Sequence, residues 1–301
     1  MKRIAQVISL AAVLIVLSAC GGNGVSVSGG DKTPQTAIKG LTAGNWYFSS
    51  TSSQNNIKSY FSGPLSVSSG TISLATTPRQ GCILNMPLVF SGTVSGDSVT
   101  ITSPSIPDNG PVMTMTGTSH FGSNFDGVYQ ITGANASDKC YRDAGTVYGI
   151  LVTPLDGSWS GSVVESAYDQ YGNVIYDMYG AAIQDTAYAY ATIAQAAAPV
   201  TINSAGLGTV SAYPLSGSMT FRNSLCYGSG TIDAAKSYIV GSSYNLVVNT
   251  DTGGTLVASG NMDPARPILM NFTYTVPSGV CQYYQVAGTL QTPAIDYGLL
   301  P

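Results

Sequence analysis

Val94-Ser95-Gly96-Asp97-Ser98-Val99-Thr100-Ile101-Thr102 is a strand, a turn and a strand written in nine residues. Val99 and Ile101 fall on one face, and Ser98, Thr100 and Thr102 on the other, the period of two that a half-buried strand requires. Ser95-Gly96-Asp97 supplies turn chemistry between two apolar runs. The same grammar spreads in both directions. Trp46 and Phe48 share a face, then come Phe61, Leu65 and Val67, then Ile72 and Leu74, then Leu88 to Phe90 and Val94. Beyond the starting hairpin lie Val112 to Thr118, then Phe125, Tyr129 and Ile131, then Val147 to Val152. Pro107-Asp108-Asn109-Gly110 and Gly122-Ser123-Asn124 separate them as turns. About eight short strands with hairpin-length links predict an antiparallel meander, closed into a barrel or folded as a two-sheet sandwich.

After Thr153-Pro154-Leu155-Asp156 the pattern restarts. Gly157-Ser158-Trp159 echoes Gly44-Asn45-Trp46, and Pro214-Leu215-Ser216 echoes Pro64-Leu65-Ser66. Cys226 and Cys281, 55 residues apart, echo Cys82 and Cys140, 58 apart. A Gly-Thr-aliphatic tripeptide recurs seven times, and glycine within strands permits the coiling that small closed sheets need. The expectation is an all-β chain of two tandem units of about eight strands, residues 40–153 and 154–301. Trp159 and Cys226 are 67 residues apart where Trp46 and Cys82 are 36 apart. The difference marks an insertion at 168–198, holding Tyr168, Tyr171, Tyr176, Tyr179, Tyr188 and Tyr190. Within it, Ala187 to Ile193 alternates as a strand does, although its Ala-rich flank also suits a short helix.

Composition agrees with strands. Only 9% of residues are charged, Glu165 is the sole glutamate, and Ser, Thr, Gly, Val and Tyr dominate. The amino terminus is different. Lys2 and Arg3 precede an apolar run from Ile4 to Leu17, then Leu17-Ser18-Ala19-Cys20. The run is about 14 residues, short of the roughly 20 that a membrane span needs. This stretch resembles the lipobox of bacterial lipoproteins. The resemblance implies that residues 1–19 are a signal peptide, that Cys20 carries lipid, and that the mature chain sits in the cell envelope. Gly21 after the cysteine is similar to outer-membrane members of that class. Residues 20–39, rich in Gly, Ser and Thr, then read as a flexible tether reaching about 25 Å. With Cys20 acylated, four cysteines remain, and repeat symmetry pairs Cys82 with Cys140 and Cys226 with Cys281.

Each unit, opening on Gly-x-Trp and continuing as a meander, resembles a lipocalin- or avidin-like up-and-down barrel, and also tandem-β envelope lipoproteins with the same Trp, Cys and Gly-Thr pattern. That resemblance implies a binding calyx. Removing Lys2 and Arg3 takes the eleven basic residues to nine, against fifteen acidic ones. This balance excludes a nucleic-acid partner, which demands a basic surface, and leaves the lipid on Cys20 as the expected membrane attachment. His120 is the lone histidine, so multi-histidine metal sites are excluded; no G-x-S-x-G elbow places a nucleophile. Asp169, Asp177 and Asp185 cluster with Glu165 beside the tyrosines, a pattern compatible with paired-carboxylate glycoside chemistry or, with Asn173, calcium. The expectation is a non-enzymatic binding or interaction module without cofactor or metal. Its ligand would be small and apolar, or a glycan, and would sit on the tyrosines of the insertion or inside a barrel. A purely structural surface protein is the alternative, and a carbohydrate-active enzyme a third class.

Overall fold

The computed structural model describes residues 40–80, 87–105, 110–138, 140–204, 208–264, 269–275 and 284–292. The signal, Cys20, the tether, Cys82 and Cys281 lie outside them. Every regular element among the described residues is a strand.

The first eight are β1 (Gly44–Ser52), β2 (Lys58–Ser68), β3 (Thr71–Gln80), β4 (Leu88–Ser95), β5 (Ser98–Thr102), β6 (Val112–His120), β7 (Asn124–Thr132) and β8 (Ala144–Leu151). Each pairs antiparallel with the next, and β8 returns to β1, with Trp46 opposite Leu151, so the sheet is a closed barrel. The nine residues quoted first become the end of β4, the turn, and β5, with Val94 opposite Val99 and Ser95 opposite Ser98. Val99 and Ile101 point into the core, as their alternation requires.

Side chains fill the barrel. Trp46, Phe48, Phe61 and Phe90 form a run of stacked rings with centroids 5.1–5.8 Å apart, and Phe125 meets Phe48 edge-on at 6.2 Å. Ile72, Leu74, Ile101, Met115 and Val147 close the space around them. A calyx of the lipocalin type needs that volume empty; here aromatic area occupies it. Outside, a row of hydroxyls crosses the strands: Thr71, Thr93, Thr100 and Thr116 are successive cross-strand partners, followed by Val128, Thr146 and Thr51. β-Branched threonine suits a pleated, solvated face, so this surface stays polar with few charges.

The remaining strands are β9 (Gly157–Ala167), β10 (Gln184–Gln195), β11 (Val200–Ser204), β12 (Gly208–Arg222), β13 (Ser229–Ile232), β14 (Tyr238–Val240), β15 (Ser243–Thr250), β16 (Thr255–Asn261), β17 (Leu269–Thr275) and β18 (Tyr284–Gln291). They build a second sheet, in the order β10-β9-β18-β17-β16-β15-β13-β12-β11, with β14 against β12 and β15. β10 pairs with β9 on one side and with β12 on the other. Ala187 to Ile193 is therefore strand, and its small buried alanines alternate with outward Tyr188, Tyr190 and Thr192. This places part of the expected insertion inside the sheet. The Pro-Leu-Ser echo falls on β2 and β12, and β10 stands between β12 and β9.

Residues 38–301 make one compact unit. Asn45 ties the barrel to the second sheet. Its Nδ2 donates to the Gly241 carbonyl at 2.9 Å, and its Oδ1 accepts from the Gly241 amide at 2.6 Å. Gly241 has φ +55°, and a Cβ there would lie 2.0 Å from Cβ of Ser62 on β2, so the contact needs glycine. Just beyond β8, the Val152 amide donates to the Asn45 carbonyl at 2.7 Å. The start of β9 and the Gly241 turn thus lie at the end of the second sheet nearest the barrel. The pairs Ser243–Asn261 and Leu269–Gln291 mark that same end, while Tyr284–Ala167 and Ser166–Gln184 mark the other.

Candidate functional site

At that far end, residues 168–183 leave β9 and return to β10 as two equivalent lobes. Tyr168-Asp169-Gln170-Tyr171-Gly172-Asn173-Val174-Ile175 is followed by Tyr176-Asp177-Met178-Tyr179-Gly180-Ala181-Ala182-Ile183, an eight-residue repeat of Tyr-Asp-x-Tyr-Gly-x-x-Ile. Each lobe is closed by a β-bridge at its base, Tyr168 to Val174 and Tyr176 to Ala182. Each aspartate caps its own turn. Oδ1 of Asp169 accepts from the amides of Tyr171 at 2.8 Å and Asn173 at 2.9 Å; Oδ1 of Asp177 accepts from Tyr179 and Ala181, both at 2.9 Å. Such local acceptance is what favours aspartate in turns. Gly172 and Gly180, at φ +83° and +79°, take the left-handed position in each lobe. Three backbone bonds tie the lobe bases to each other and to the end of β9. The amide of Ile175 donates to Ala167, Ile183 donates to Ile175, and Ala167 donates to Ile183, at 2.9–3.0 Å.

The aspartates therefore shape turns. Asn173 donates its side-chain amide to Oδ2 of Asp169 at 3.0 Å, and with the backbone amide of Asn173 it holds the Asp169 carboxyl below the usual carboxylate range. Glu165 belongs elsewhere. It is fully buried on β9, where it accepts the Ser224 hydroxyl and, at 2.8 Å, the Leu225 amide. It thereby fixes the loop that carries Cys226. Asp185 stands opposite Glu165 in the β9–β10 register and accepts from the Thr186 amide. The described residues contain no group of three or more His, Cys, Asp or Glu side chains disposed to hold a metal ion.

The six tyrosines singled out by composition divide three ways. Tyr171 and Tyr179 sit at matching apices, 79% and 86% exposed, with Met178 88% exposed beside the second. Tyr176 at the base of the second lobe is 60% exposed, whereas Tyr168, its counterpart, is half-buried. Tyr188 and Tyr190 lie on the outer face of β10, and the Arg222 guanidinium stands 5.4 Å over the Tyr190 ring. Ile175 and Ile183 are each more than a third exposed at the lobe bases. The tip is thus an apolar, aromatic projection whose only charges are turned into backbone caps. Met178 and the eight-residue repeat were not picked out by composition; comparing residues 168–175 with 176–183 would have found them.

Two hollows lie elsewhere. A groove of about 660 Å³ runs over the outer face of β6–β8, lined by Thr114, Thr116, Val128, Gln130, Thr146 and the Ser52–Ser53 corner. Beneath it, buried Asp143 accepts the hydroxyls of Ser52 at 2.6 Å and Tyr129 at 2.8 Å. A second hollow of about 320 Å³ separates barrel and sheet, with Pro64, Leu65, Pro199 and Tyr213 among its walls. His120 ends β6 and meets Asp126 at 3.4 Å, both side chains largely exposed. Neighbouring Ser119 faces the other way, its hydroxyl donating to the Gly40 carbonyl, so Ser119 does not join the pair.

Cys140 and Cys226 are both buried. Cys226 is disulfide-bonded. The expected partners, Cys82 and Cys281, lie outside the described residues. The chain matches no protein-family model and no curated protein.

Proposed function

We propose that this protein is a lipid-anchored envelope lipoprotein, held at no more than a tether's length from its membrane by acylated Cys20, that presents the twin-lobed tip as a non-enzymatic contact surface. The observation that carries this reading is the exposure of Tyr171, Tyr176, Met178 and Tyr179 together on one short projection. Exposed apolar groups gathered in one place mark interaction sites, and tyrosine offers large contact area at low entropic cost. The filled first barrel moves the binding role from an interior calyx to this outer surface. The lipobox-like Leu17-Ser18-Ala19-Cys20 supports the anchor, with the outer membrane as the destination that Gly21 favours.

The two halves read as a duplication. In both, the indole nitrogen of the opening tryptophan donates to the carbonyl four residues back, Trp46 to Thr42 at 2.9 Å and Trp159 to Leu155 at 3.1 Å. Matching β9, β10, β12, β13, β15, β16, β17 and β18 to β1–β8 puts Cys82 and Cys226 after the third strand of each half. It puts Cys140 and Cys281 before the last, consistent with pairs Cys82–Cys140 and Cys226–Cys281. On this alignment the lobes replace the short β1–β2 turn. A purely structural role is the second reading, favoured by the same packed barrel core.

A photo-reactive phenylalanine analogue placed at position 179 tests the contact surface. Irradiated in intact envelopes, it should form adducts that the same group at exposed position 128 of the barrel does not. Equal adducts at both positions, or none at 179, would refute the proposal.

A further inference from the structure

Two observations narrow what the tip can hold. The first is where it stands. The amino-terminal tether joins at Gly40, whose carbonyl meets Ser119 at the β6–β7 end of the barrel, the end at which β1 starts and β8 finishes. The linker then enters β9 beside Asn45, and the lobes lie at the opposite end of that strand, about 35 Å along it at ordinary strand rise. The tip faces away from the point of attachment. The second observation is charge. No lysine or arginine occurs between Arg142 and Arg222, so the lobes carry no cation to neutralise a phosphate, sulfate or uronate. Asp169 and Asp177 add negative charge at both lobe bases, which opposes an anionic ligand further.

What remains is an uncharged ligand with flat apolar faces. The eight-residue repeat adds that it is met twice, by equivalent apices carrying Tyr171 and Tyr179. We infer that the paired lobes hold a strand of neutral polysaccharide, each apical tyrosine ring lying against the apolar face of one sugar. Gln170, next to the first ring in sequence, supplies an amide for sugar hydroxyls. This inference rests on the proposal that the tip is the contact surface, and names the class of ligand it takes.

Affinity electrophoresis of the chain beginning at Gly21 tests it, in native gels cast with hydroxyethyl cellulose, laminarin, dextran or galactomannan. At least one gel should retard the protein, equally at low and high salt. Y171A and Y179A should each weaken retardation about tenfold, the size of a hot-spot ring. The double variant should lose about a hundredfold, since separate platforms add in free energy. Y171F and Y179F should retain binding, because the ring is kept. Both positions of change are solvent-facing, and unchanged melting temperatures would confirm intact folding. No retardation in any gel, retardation untouched by the double variant, or retardation abolished by salt would each overturn the inference. If position 179 cross-links a protein while all gels fail, the glycan is wrong and the contact surface stands. If both experiments are blank, both readings fall.

Discussion

Asn45→Ala cuts the tie between barrel and second sheet, and its consequence follows from two bonds. The Asn45 side chain is 3% exposed and spends both amide functions on Gly241, which is itself buried. Alanine leaves the Gly241 N–H and C=O without partners in a site that water does not readily enter. Each orphaned group costs about 1–3 kcal/mol, so the loss is about 2–6 kcal/mol. With a urea slope of about 3 kcal/mol/M, the unfolding midpoint falls by roughly 1 M. The two tryptophans make the assay selective, since Trp46 lies in the barrel and Trp159 in the second sheet. In W159F and W46F backgrounds, each fluorescence trace follows one of them. The parent traces should coincide; adding N45A should separate them. Gly241→Ala attacks the same contact from the other side through Ser62, and combined with N45A it should cost less than the two single losses together. A midpoint unchanged within about 0.2 M for N45A, about 0.5 kcal/mol at that slope, would refute this account of how the two parts are joined.

Phe48→Ala, which empties the middle of the ring stack, should cost about 3–5 kcal/mol by urea unfolding. Because hydrogen bonds from Asn173 depress the Asp169 carboxyl, they stabilise the first lobe above the ordinary carboxylate range. That contribution is lost as pH falls through the depressed value, so amide exchange at Tyr171 and Asn173 should accelerate only below about pH 4. Asn173→Ala should move that onset to higher pH. Cys20→Ser should abolish incorporation of labelled palmitate and shift the chain from the membrane to the soluble fraction. Non-reducing peptide mapping should return Cys82–Cys140 and Cys226–Cys281 peptides, each bridge closing a loop worth about 4 kcal/mol.

The barrel was legible because its strands are half-buried. Val99 and Ile101 alternate with Ser98, Thr100 and Thr102, and one face of water against one of core writes the period into the residues. The second sheet was harder to read. β10 buries alanines, which alternate in size and polarity only weakly and suit helices as well as strands, so its place between β9 and β12 came from pairing. Pro-Leu-Ser reads as equivalent in the two halves because it is matched by residue identity; the pairings put it on β2, directly beside β1, and on β12, which β10 separates from β9. A filled interior was equally invisible. Phe48, Phe61, Phe90 and Phe125 read as inward-facing, but whether inward rings line a cavity or fill it depends on how closely opposite strands approach. At the tip, tyrosine content marks the segment that the two lobes occupy. It could not separate Tyr171 and Tyr179 at the apices from Tyr188 and Tyr190 on the sheet, because that division comes from two Asp-capped turns. The aspartates, suggestive of chemistry as a cluster, are explained by those turns.

The claim on which the rest depends is that residues 168–183 make contact and the sheet beneath them only displays it. Deleting 168–198 would remove β10 along with the lobes, so the decisive variant joins Ala167 to Gln184 through an Asn-Gly turn and keeps β10. The measurement is co-sedimentation with isolated envelopes of two unacylated chains beginning at Gly21, one intact and one without lobes. The intact chain should sediment with the envelopes through the tip alone, and the lobeless chain should stay in solution with its melting temperature preserved. Equal sedimentation of the two folded chains would contradict the account.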